Sequence, residues 1–214
     1  MRYNLGVISF VYLDVGGVAN IDFSGNTKWD ELRAELGITP ENRAAFDRIW
    51  DEYFPKVCID YEINDLVPIL RRELGLSLPD GYSLLDGFLK RFEPNPSIWP
   101  VTEAMKRQVP VGLLTNMYIG MFDAILKTGM LPPVKWDVVI DSSIEGCQKP
   151  EVEIFELAQA KAGVPAGQIL FADNSREHVE AAAALGWQTF LYDSSNPQQS
   201  SNDLLEFFQA HLRT

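Results

Sequence analysis

The order of apolar and polar positions divides the chain into two kinds of region. The run from Gly6 to Leu13 is continuously apolar, rich in β-branched and aromatic residues, and it runs into Asp14-Val-Gly-Gly17. Such a run predicts a buried strand that leads into a glycine turn. From about residue 101 onwards, short apolar runs alternate with amphipathic helical patterns. This alternation is typical of a parallel sheet with helices on both faces.

The second region predicts nine elements separated by turns. The predicted strands are Val111–Leu114, Trp136–Ile140, Ile169–Ala172 and Thr189–Tyr192, and the predicted helices are Val101–Gln108, Tyr118–Lys127, Glu151–Ala162, Arg176–Leu185 and Leu204–His211. The polar loop Asp193–Asn202 lies between the last predicted strand and the last predicted helix, and it is predicted to be mobile. Pro-rich residues 93–100 form the connection that precedes the whole region.

Residues 28–92 show helical periodicity and no convincing strand. The predicted helices are Trp29–Leu36, Glu41–Phe54, Asn64–Leu74 and Tyr82–Phe92. Because the first strand has the buried character of the later ones, we predict a Rossmann-like α/β core of residues 1–19 and 97–214. An all-helical domain of residues 20–96 would be inserted after the first strand. The alternative is a helical N-terminal domain with one stray strand, but Gly6–Leu13 is too apolar to lie alone at an edge.

Composition and charge exclude several classes of protein. The 214 residues include 18 basic and 30 acidic side chains, a formal net charge of −12. This balance argues against binding to nucleic acid or to an anionic membrane, because phosphate contacts need clustered Lys and Arg. Two cysteines and two histidines are too few for a disulfide framework or a His-rich metal site. With no transmembrane run and no signal-peptide pattern, we expect a soluble, cytoplasmic protein of open oligomeric state.

Polar side chains follow three of the predicted parallel strands. They are Asp14, the pair Thr115-Asn116, and the pair Asp173-Asn174, while Lys149 precedes a proline at the start of a helix. Ligands of open parallel sheets bind at the carboxyl ends of the strands. Carboxylates are suited to a hard cation such as Mg²⁺, and a lysine with a hydroxyl group to phosphate oxygens. The pattern therefore predicts a site for an anion and a metal.

Four segments resemble the ordered motifs of the haloacid dehalogenase-like hydrolase superfamily. They are Leu13–Val18, Leu113–Asn116, Gln148–Glu151 and Leu170–Asn174. Each motif alone is weak, but four in this order are specific, and the resemblance covers the whole chain. The helical insertion is similar to the smaller cap type of that family. The short first motif resembles those of a subgroup that includes small sugar-phosphate phosphatases.

The resemblance implies a phosphatase mechanism with an aspartyl-phosphate intermediate. Asp14 would be the nucleophile. Mg²⁺ would bind the Asp14 side chain, the backbone carbonyl of Gly16, and Asp173. The substrate would be a small phosphorylated metabolite, and the cap would close over its leaving group.

Four further residues receive roles from the same resemblance. Thr115 would hydrogen-bond a phosphoryl oxygen, and Lys149 would neutralise charge on the nucleophile and the phosphate. Asn116 would orient its own loop or the substrate. Asn174 replaces a second acidic position and would support a metal-bound water.

Gly16 departs from the pattern of family phosphatases. They usually carry a second Asp two residues after the nucleophile, which protonates the leaving oxygen and then activates water. General acid–base catalysis contributes about 10²–10⁴-fold, so slow turnover is expected, and Gly16→Asp is predicted to raise it. Asp22 is the only acid close downstream on the same loop, and it is a possible substitute.

Three functions are open at this point. The first is a phosphatase that is slow or prefers good leaving groups, and the second is a non-catalytic phosphate-binding or scaffold protein on the same fold. The third is a dehalogenase, which the resemblance would associate with a helpful arginine; none occurs between Arg2 and Arg33. An unrelated activity on a shared fold also stays open.

Several other chemical side chains have plainer interpretations. His178 is predicted to be a surface or packing residue, because no G-x-S-x-G motif supplies a serine nucleophile for it. Cys147 is predicted to be a small buried apolar residue. Most aromatic residues of the insertion should form its core, with one or two facing the substrate; they are Trp29, Trp50, Tyr53, Phe54 and Tyr61. Most of its cations should lie on solvated faces; they are Arg33, Lys56, Arg71, Arg72, Lys90 and Arg91.

Overall fold

The computed structural model describes residues 7–212, which contain seven strands and ten α-helices. The strands are β1 Phe10–Leu13, β2 Asn20–Ile21, β3 Glu93–Pro94, β4 Val111–Thr115, β5 Val139–Asp141, β6 Ile169–Asp173 and β7 Gln188–Leu191. The helices are α1 Lys28–Leu36, α2 Arg43–Val57, α3 Leu66–Leu74, α4 Leu84–Leu89, α5 Trp99–Lys106, α6 Met121–Thr128, α7 Ser142–Glu145, α8 Val152–Ala162, α9 Arg176–Ala184 and α10 Pro197–Ala210. Gly6, the predicted start of the first strand, lies outside the described residues.

A five-stranded parallel sheet forms the centre of the α/β region. Its strand order is β5-β4-β1-β6-β7, and every neighbouring pair is parallel. β1 is buried along its whole length because both faces of the sheet are covered by helices. The predicted α/β fold class is confirmed. After β1, the chain first adds β4 and β5 on one side of it and then β6 and β7 on the other. Such a change of direction in the strand order marks a ligand-binding crevice at the carboxyl end of the strand, here β1.

The two faces of β1 enter two separate apolar clusters. Phe10 and Tyr12 lie in a cluster with residues of β6 and α8, whereas Val11 and Leu13 lie in the larger cluster that reaches the helical region. This is the period-two alternation of a strand. Gly112 on β4 is needed beside Tyr12, because a Cβ at Gly112 would lie 2.8 Å from the Tyr12 ring and 2.7 Å from a backbone oxygen.

The helical insertion, defined here as residues 20–96, contains α1 to α4 as the periodicity predicts. Its buried residues, among them Leu32 and Phe46, share one apolar cluster with Val11 and Leu113 of the sheet. The division into a core of residues 1–19 and 97–214 and a separate cap domain stays a prediction.

The prediction that residues 20–96 form an all-helical domain was wrong at both ends of that range, whereas residues 28–92 contain no strand, as predicted. Asn20–Ile21 and Glu93–Pro94 pair as an antiparallel ribbon. Each strand has only two residues, and β3 includes a proline, which lacks the N–H that a ladder needs. Neither segment therefore carries a sequence pattern of a strand.

The polar loop Asp193–Asn202 was also interpreted incorrectly in its second half. α10 begins at Pro197, where proline is favoured because its fixed φ suits the first helical turn. Ser200 and Ser201 are buried. The Tyr192 hydroxyl is 2.7 Å from Ser201 Oγ, and Ser200 Oγ accepts a hydrogen bond from the Asp193 backbone N–H. These bonds to polar side chains, which look like solvent-exposed residues in the sequence, fix the start of the helix. Within residues 7–212, no helix is long and apolar enough to cross a bilayer.

Candidate active site

The strand ends bring the predicted polar residues to one edge of the sheet. Asp14 directly follows β1, Thr115 is the last residue of β4, and Asp173 is the last residue of β6. Because β1 lies between β4 and β6, the two carboxylates and the hydroxyl group converge. The Asp14 backbone N–H donates to Ala172 O at 2.9 Å, so the loop after β1 remains attached to β6 beyond the end of the strand.

Lys149 lies beneath this edge and contacts both carboxylates. Its Nζ is 3.0 Å from Asp14 Oδ1 and 2.6 Å from Asp173 Oδ2, and it also donates to Leu114 O at 3.0 Å. The side chains of Lys149 and Asp173 have no exposed area. These three residues, Asp14, Lys149 and Asp173, are called the charged floor below.

Burial and neighbouring charges give the carboxyl groups of Asp14 and Asp173 different pKa values. Burial, with the charge of Asp173, raises the pKa of Asp14 to about 6 despite the nearby ammonium. Burial acts on Asp173 in the same direction, but Lys149 and His178 outweigh it and lower its pKa to about 2. Burial alone would lower the pKa of Lys149, yet the two carboxylates raise it above its usual value. Lys149 is therefore charged at neutral pH.

The charged floor fits a divalent cation. Asp14 Oδ1 accepts from Lys149 and from the Val15 N–H at 2.7 Å, whereas Asp14 Oδ2 accepts no hydrogen bond within residues 7–212. Mg²⁺ prefers carboxylate oxygens and commonly uses only one or two of them, with water and phosphate completing its shell. No group of three or more His, Cys, Asp or Glu side chains suited to a metal occurs in the described part of the chain. A cation here would therefore rest on Asp14, Asp173, the Gly16 carbonyl and non-protein ligands.

Three further polar side chains were predicted for the site, and they differ in whether they already form hydrogen bonds. Thr115 lines the cavity above the charged floor, and its hydroxyl forms no hydrogen bond within the residues described. The Asn116 side chain is paired with the backbone of Lys149, with distances of 2.8 Å to its carbonyl and 2.9 Å to its N–H. Asn174 Nδ2 donates to Ser24 Oγ at 2.8 Å. Asn116 and Asn174 thus hold loops in place.

The Asp22 carboxylate occupies the space beside Gly16. A Cβ built on Gly16 would lie 2.7 Å from Asp22 Oδ2, closer than real contacts allow. Ser24 N donates to Asp22 Oδ1 at 2.8 Å, and Asp22 lines the same cavity as Asp14. The carboxyl group that Gly16 lacks is therefore replaced in space by that of Asp22, six positions downstream. Burial raises the pKa of Asp22.

His178 belongs to the site, although the sequence favoured a surface or packing role. Its Nδ1 is 3.1 Å from Asp173 Oδ2, and the ring lines the cavity. The first turn of α9 brings it back over the strand end, because Ser175 caps the helix by accepting from the His178 N–H. The five-residue spacing from Asp173 was the available signal.

A cavity of about 680 Å³ lies above the charged floor. Three of the five aromatic candidates line it, namely Trp29, Trp50 and Phe54. Tyr53 and Tyr61 instead pack on each other, with ring centroids 5.1 Å apart. Four aromatic residues that the sequence had not singled out also line the cavity; they are Phe23, Phe88, Phe92 and Tyr118. The six lining aromatic residues that belong to the insertion are called the aromatic roof.

Comparison with a protein family gives the same assignment as the motifs. Residues 85–186 match the family model described as haloacid dehalogenase-like hydrolase. A curated relative, Phosphatase MT3486 of Mycobacterium tuberculosis, is 28% identical over 198 residues, covering 88% of this chain and 88% of its own.

Solved structures share the fold at lower identity. A haloacid dehalogenase-family enzyme of Bacteroides thetaiotaomicron, crystallised with magnesium and inorganic phosphate, aligns with a TM-score of 0.67 at 17% identity. The alignment covers 87% of this chain and 95% of that one. An L-2-haloacid dehalogenase aligns with a TM-score of 0.68 at 21% identity, covering 96% of this chain and 100% of that one. Because proteins with different names and ligands share this fold, the fold does not decide the chemistry, and the site residues must do so.

Proposed function

The chain belongs to the haloacid dehalogenase-like hydrolase superfamily, and on this premise we propose that it hydrolyses phosphate monoesters of a small metabolite with Mg²⁺. The observation that carries the proposal is the charged floor. Asp14 has an oxygen free of hydrogen bonds, and a fully buried ammonium lies 3.0 Å from its other oxygen. A carboxylate held in this way is suited to nucleophilic attack on phosphorus.

The charge of the floor supports a metal requirement. Two carboxylates and one ammonium give a net charge of −1 when both acids are ionised, which would repel a phosphate dianion. Mg²⁺, held by Asp14, the Gly16 carbonyl and Asp173, would supply Lewis acidity and reverse the sign of the local charge.

The chain's own residues perform the remaining steps. Asp14 Oδ2 attacks phosphorus, the bond to the leaving oxygen breaks, the leaving oxygen takes the proton of the Asp22 carboxyl group, and an aspartyl phosphate forms. Lys149 neutralises Asp14 Oδ1, and the Thr115 hydroxyl donates to a phosphoryl oxygen. Water then attacks the aspartyl phosphate and gives a proton to the Asp22 carboxylate, which releases inorganic phosphate and restores both carboxyl groups.

Asp22 replaces the missing acid and base in this proposal. Its carboxylate fills the space that the side chain of residue 16 would take, and it shares the cavity with the nucleophile. It reaches the cavity from another part of the loop rather than from the turn after Asp14. We therefore expect slower turnover of esters with poor leaving groups than of aryl esters.

The cavity favours a phosphatase over a dehalogenase. Within residues 7–212, its lining includes no arginine, and Lys149 is its only lysine. That lysine is already bound by two carboxylates. A 2-haloacid would therefore find no free side-chain cation for its carboxylate.

Phosphate release from an aryl phosphate, with and without Mg²⁺, tests the proposal. We expect turnover that depends on Mg²⁺ and stops when a chelator is added. Folded protein that binds inorganic phosphate but hydrolyses no ester would support the scaffold alternative instead. Chloride release from a 2-chloroacid would support the dehalogenase.

A further inference from the structure

The aromatic roof is one continuous group of rings above the charged floor. Phe23 is 4.9 Å from Phe88 between ring centroids, and Trp29 is 5.0 Å from Trp50. Trp50 extends the contact to Phe54 at 5.9 Å. Edge-to-face and tilted packing at these distances holds rings in fixed positions. A leaving group above the phosphate site would therefore meet a wall of aromatic carbon.

The insertion contains nine lysine and arginine residues, and within residues 7–212 none of them lines the cavity. The six singled out in the sequence have partners elsewhere: Arg33 on Asp30, Lys56 on Glu52, Arg71 on Leu78 O, Arg72 on Glu73, and Lys90 and Arg91 on Glu35. A second phosphate or a carboxylate on the substrate would therefore find no side-chain cation on the roof side.

The three amide side chains that line the cavity are engaged. Gln148 Nε2 donates to Pro55 O at 3.0 Å, and the amides of Asn116 and Asn174 are bound to Lys149 and Ser24. Apart from Thr115, the lining groups without a hydrogen bond within residues 7–212 include the Tyr118 hydroxyl and the Glu177 carboxylate. Several hydroxyl groups of a sugar would therefore lose water here without gaining a partner, which costs binding free energy for each buried group left unpaired.

We propose that the alcohol part of the substrate is apolar and uncharged and carries a ring, so that the enzyme acts on hydrophobic phosphomonoesters rather than sugar phosphates. This inference rests on the proposed phosphatase function. Contact with the aromatic roof would supply the selectivity, and the charged floor would bind the phosphoryl group. The cavity of about 680 Å³ lies in the size range of sites that enclose an organic molecule with its phosphate.

Three primary alkyl phosphates with similarly reactive leaving groups test the inference. They are naphthylethyl phosphate, a hexose phosphate esterified at its primary hydroxyl, and choline phosphate. We expect kcat/KM for the naphthylethyl ester to exceed both others by about tenfold or more, as apolar pockets discriminate between leaving groups. Equal rates, or preference for the hexose, would overturn the inference. Preference for choline phosphate would also overturn it, because the rings would then bind a cation.

Two alanine variants test whether the aromatic roof causes the expected preference for the naphthylethyl ester. Phe54 is 44% exposed at the edge of the cavity, so Phe54→Ala should leave the fold intact. It is expected to lower kcat/KM for the naphthylethyl ester by about tenfold and to leave the hexose ester within twofold. Ile144→Ala is the control, since Ile144 is 77% exposed and lies outside the cavity. An equal loss for both esters in Phe54→Ala would contradict the assignment.

Calorimetry separates a failure of this inference from a failure of the proposed function. Phosphonate analogues of the three esters cannot be hydrolysed, and their affinities are measured with Mg²⁺ present. If no ester is turned over, the phosphatase proposal fails, but tighter binding of the naphthyl phosphonate would still support the apolar preference. If esters are turned over while the three phosphonates bind equally, the preference fails and the phosphatase proposal stands.

Discussion

Asp14 and Lys149 of the charged floor line the same cavity as the aromatic roof, but floor and roof differ in where their charges lie. In the floor, an ammonium and two carboxylates are buried together. In the insertion, ion pairs such as Arg43 with Asp47 are half exposed, and aromatic rings line the cavity. Buried pairs interact strongly and are costly to break, whereas half-exposed pairs contribute little. Under the proposed function, the chemistry belongs to the floor and the selection of substrate to the roof.

The largest effect is expected from the nucleophile. Asp14→Asn keeps the shape of the side chain but removes the attacking oxygen, so turnover should fall by at least about 10⁴-fold. Phosphate release under saturating Mg²⁺ measures it, with circular dichroism as the control for folding. A variant that retained a tenth of the activity would exclude the aspartyl-phosphate route and the division of roles drawn here.

Removing the buried ammonium should destabilise the protein more than removing a surface one. Lys149→Met leaves two carboxylates close together without a counter-charge, and we expect a loss of about 3–5 kcal/mol in the free energy of unfolding at pH 7. Lys161→Met is the matched control, because Lys161 pairs with Glu145 at the surface, and its loss should be about 1 kcal/mol or less. Urea unfolding measures the free energy of unfolding of both variants. Equal losses would contradict the expectation that the buried ion pairs contribute more than the exposed one.

Asp22 lines the cavity together with Asp14 and the aromatic roof. Its replacement is expected to slow the reaction of alkyl esters more than that of aryl esters. Asp22→Asn is expected to lower kcat/KM for an alkyl ester by about 10²-fold, and for a nitrophenyl ester much less, because this ratio reports the phosphoryl-transfer step and a nitrophenolate leaves without a proton. Asp80→Asn, an exposed acid of the same insertion, serves as the control. Equal losses of kcat/KM for the two esters would exclude proton donation by Asp22 to the leaving group.

The structure also revises the expectation for Gly16→Asp. Its new side chain would collide with the Asp22 carboxylate, so the single variant should gain little. The double variant Gly16→Asp with Asp22→Ala clears the space and should exceed Asp22→Ala alone in turnover of an alkyl ester. The same turnover in both would show that an acid at position 16 cannot replace Asp22.

The smallest effect is expected in the outer ionic cluster of the insertion. Burial would raise the pKa of Glu35, but hydrogen bonds from Lys90, Arg91 and Tyr82 lower it to about 2. The ionised form is therefore favoured by folding, and its contribution is complete above the pKa of the unfolded chain and lost as the pH falls towards 2. Glu35→Gln should cost about 1–2 kcal/mol at pH 7. The urea midpoints of variant and wild type should differ most above about pH 5 and approach each other as the pH falls to about 2; a difference that stays constant over this range would contradict the assignment.

The sequence was sufficient for the sheet because buried parallel strands have a strong local pattern. β1, β4 and β6 are short apolar runs that end in a polar residue, and their order with the helices allows few topologies. The ribbon β2–β3 and the start of α10 were missed for a physical reason. The ribbon is too short to show a period, and the buried serines of α10 are stabilised by partners distant in sequence.

The candidate site was predictable where a residue acts from a strand end. Asp14, Thr115 and Asp173 needed only the rule that parallel strands end at one edge. Asp22 and His178 depend on how a loop and a helix turn fold back, which no local pattern records. The aromatic roof was predicted only in part, because residues such as Phe88 and Phe92 share the composition of core residues, and the face each presents is set by tertiary packing.

The β2–β3 ribbon makes the roof exchangeable. Ile21 and Glu93 are direct neighbours across the ribbon, so the chain leaves the α/β region and returns to it at one point. A segment of different length between these two residues would add little loop-closure entropy and would leave the registers of the parallel sheet unchanged. Evolution or an engineer could therefore graft another roof at this junction and redirect selectivity while the floor stays the same. Asp22 is the one acid that such a graft would have to carry with it.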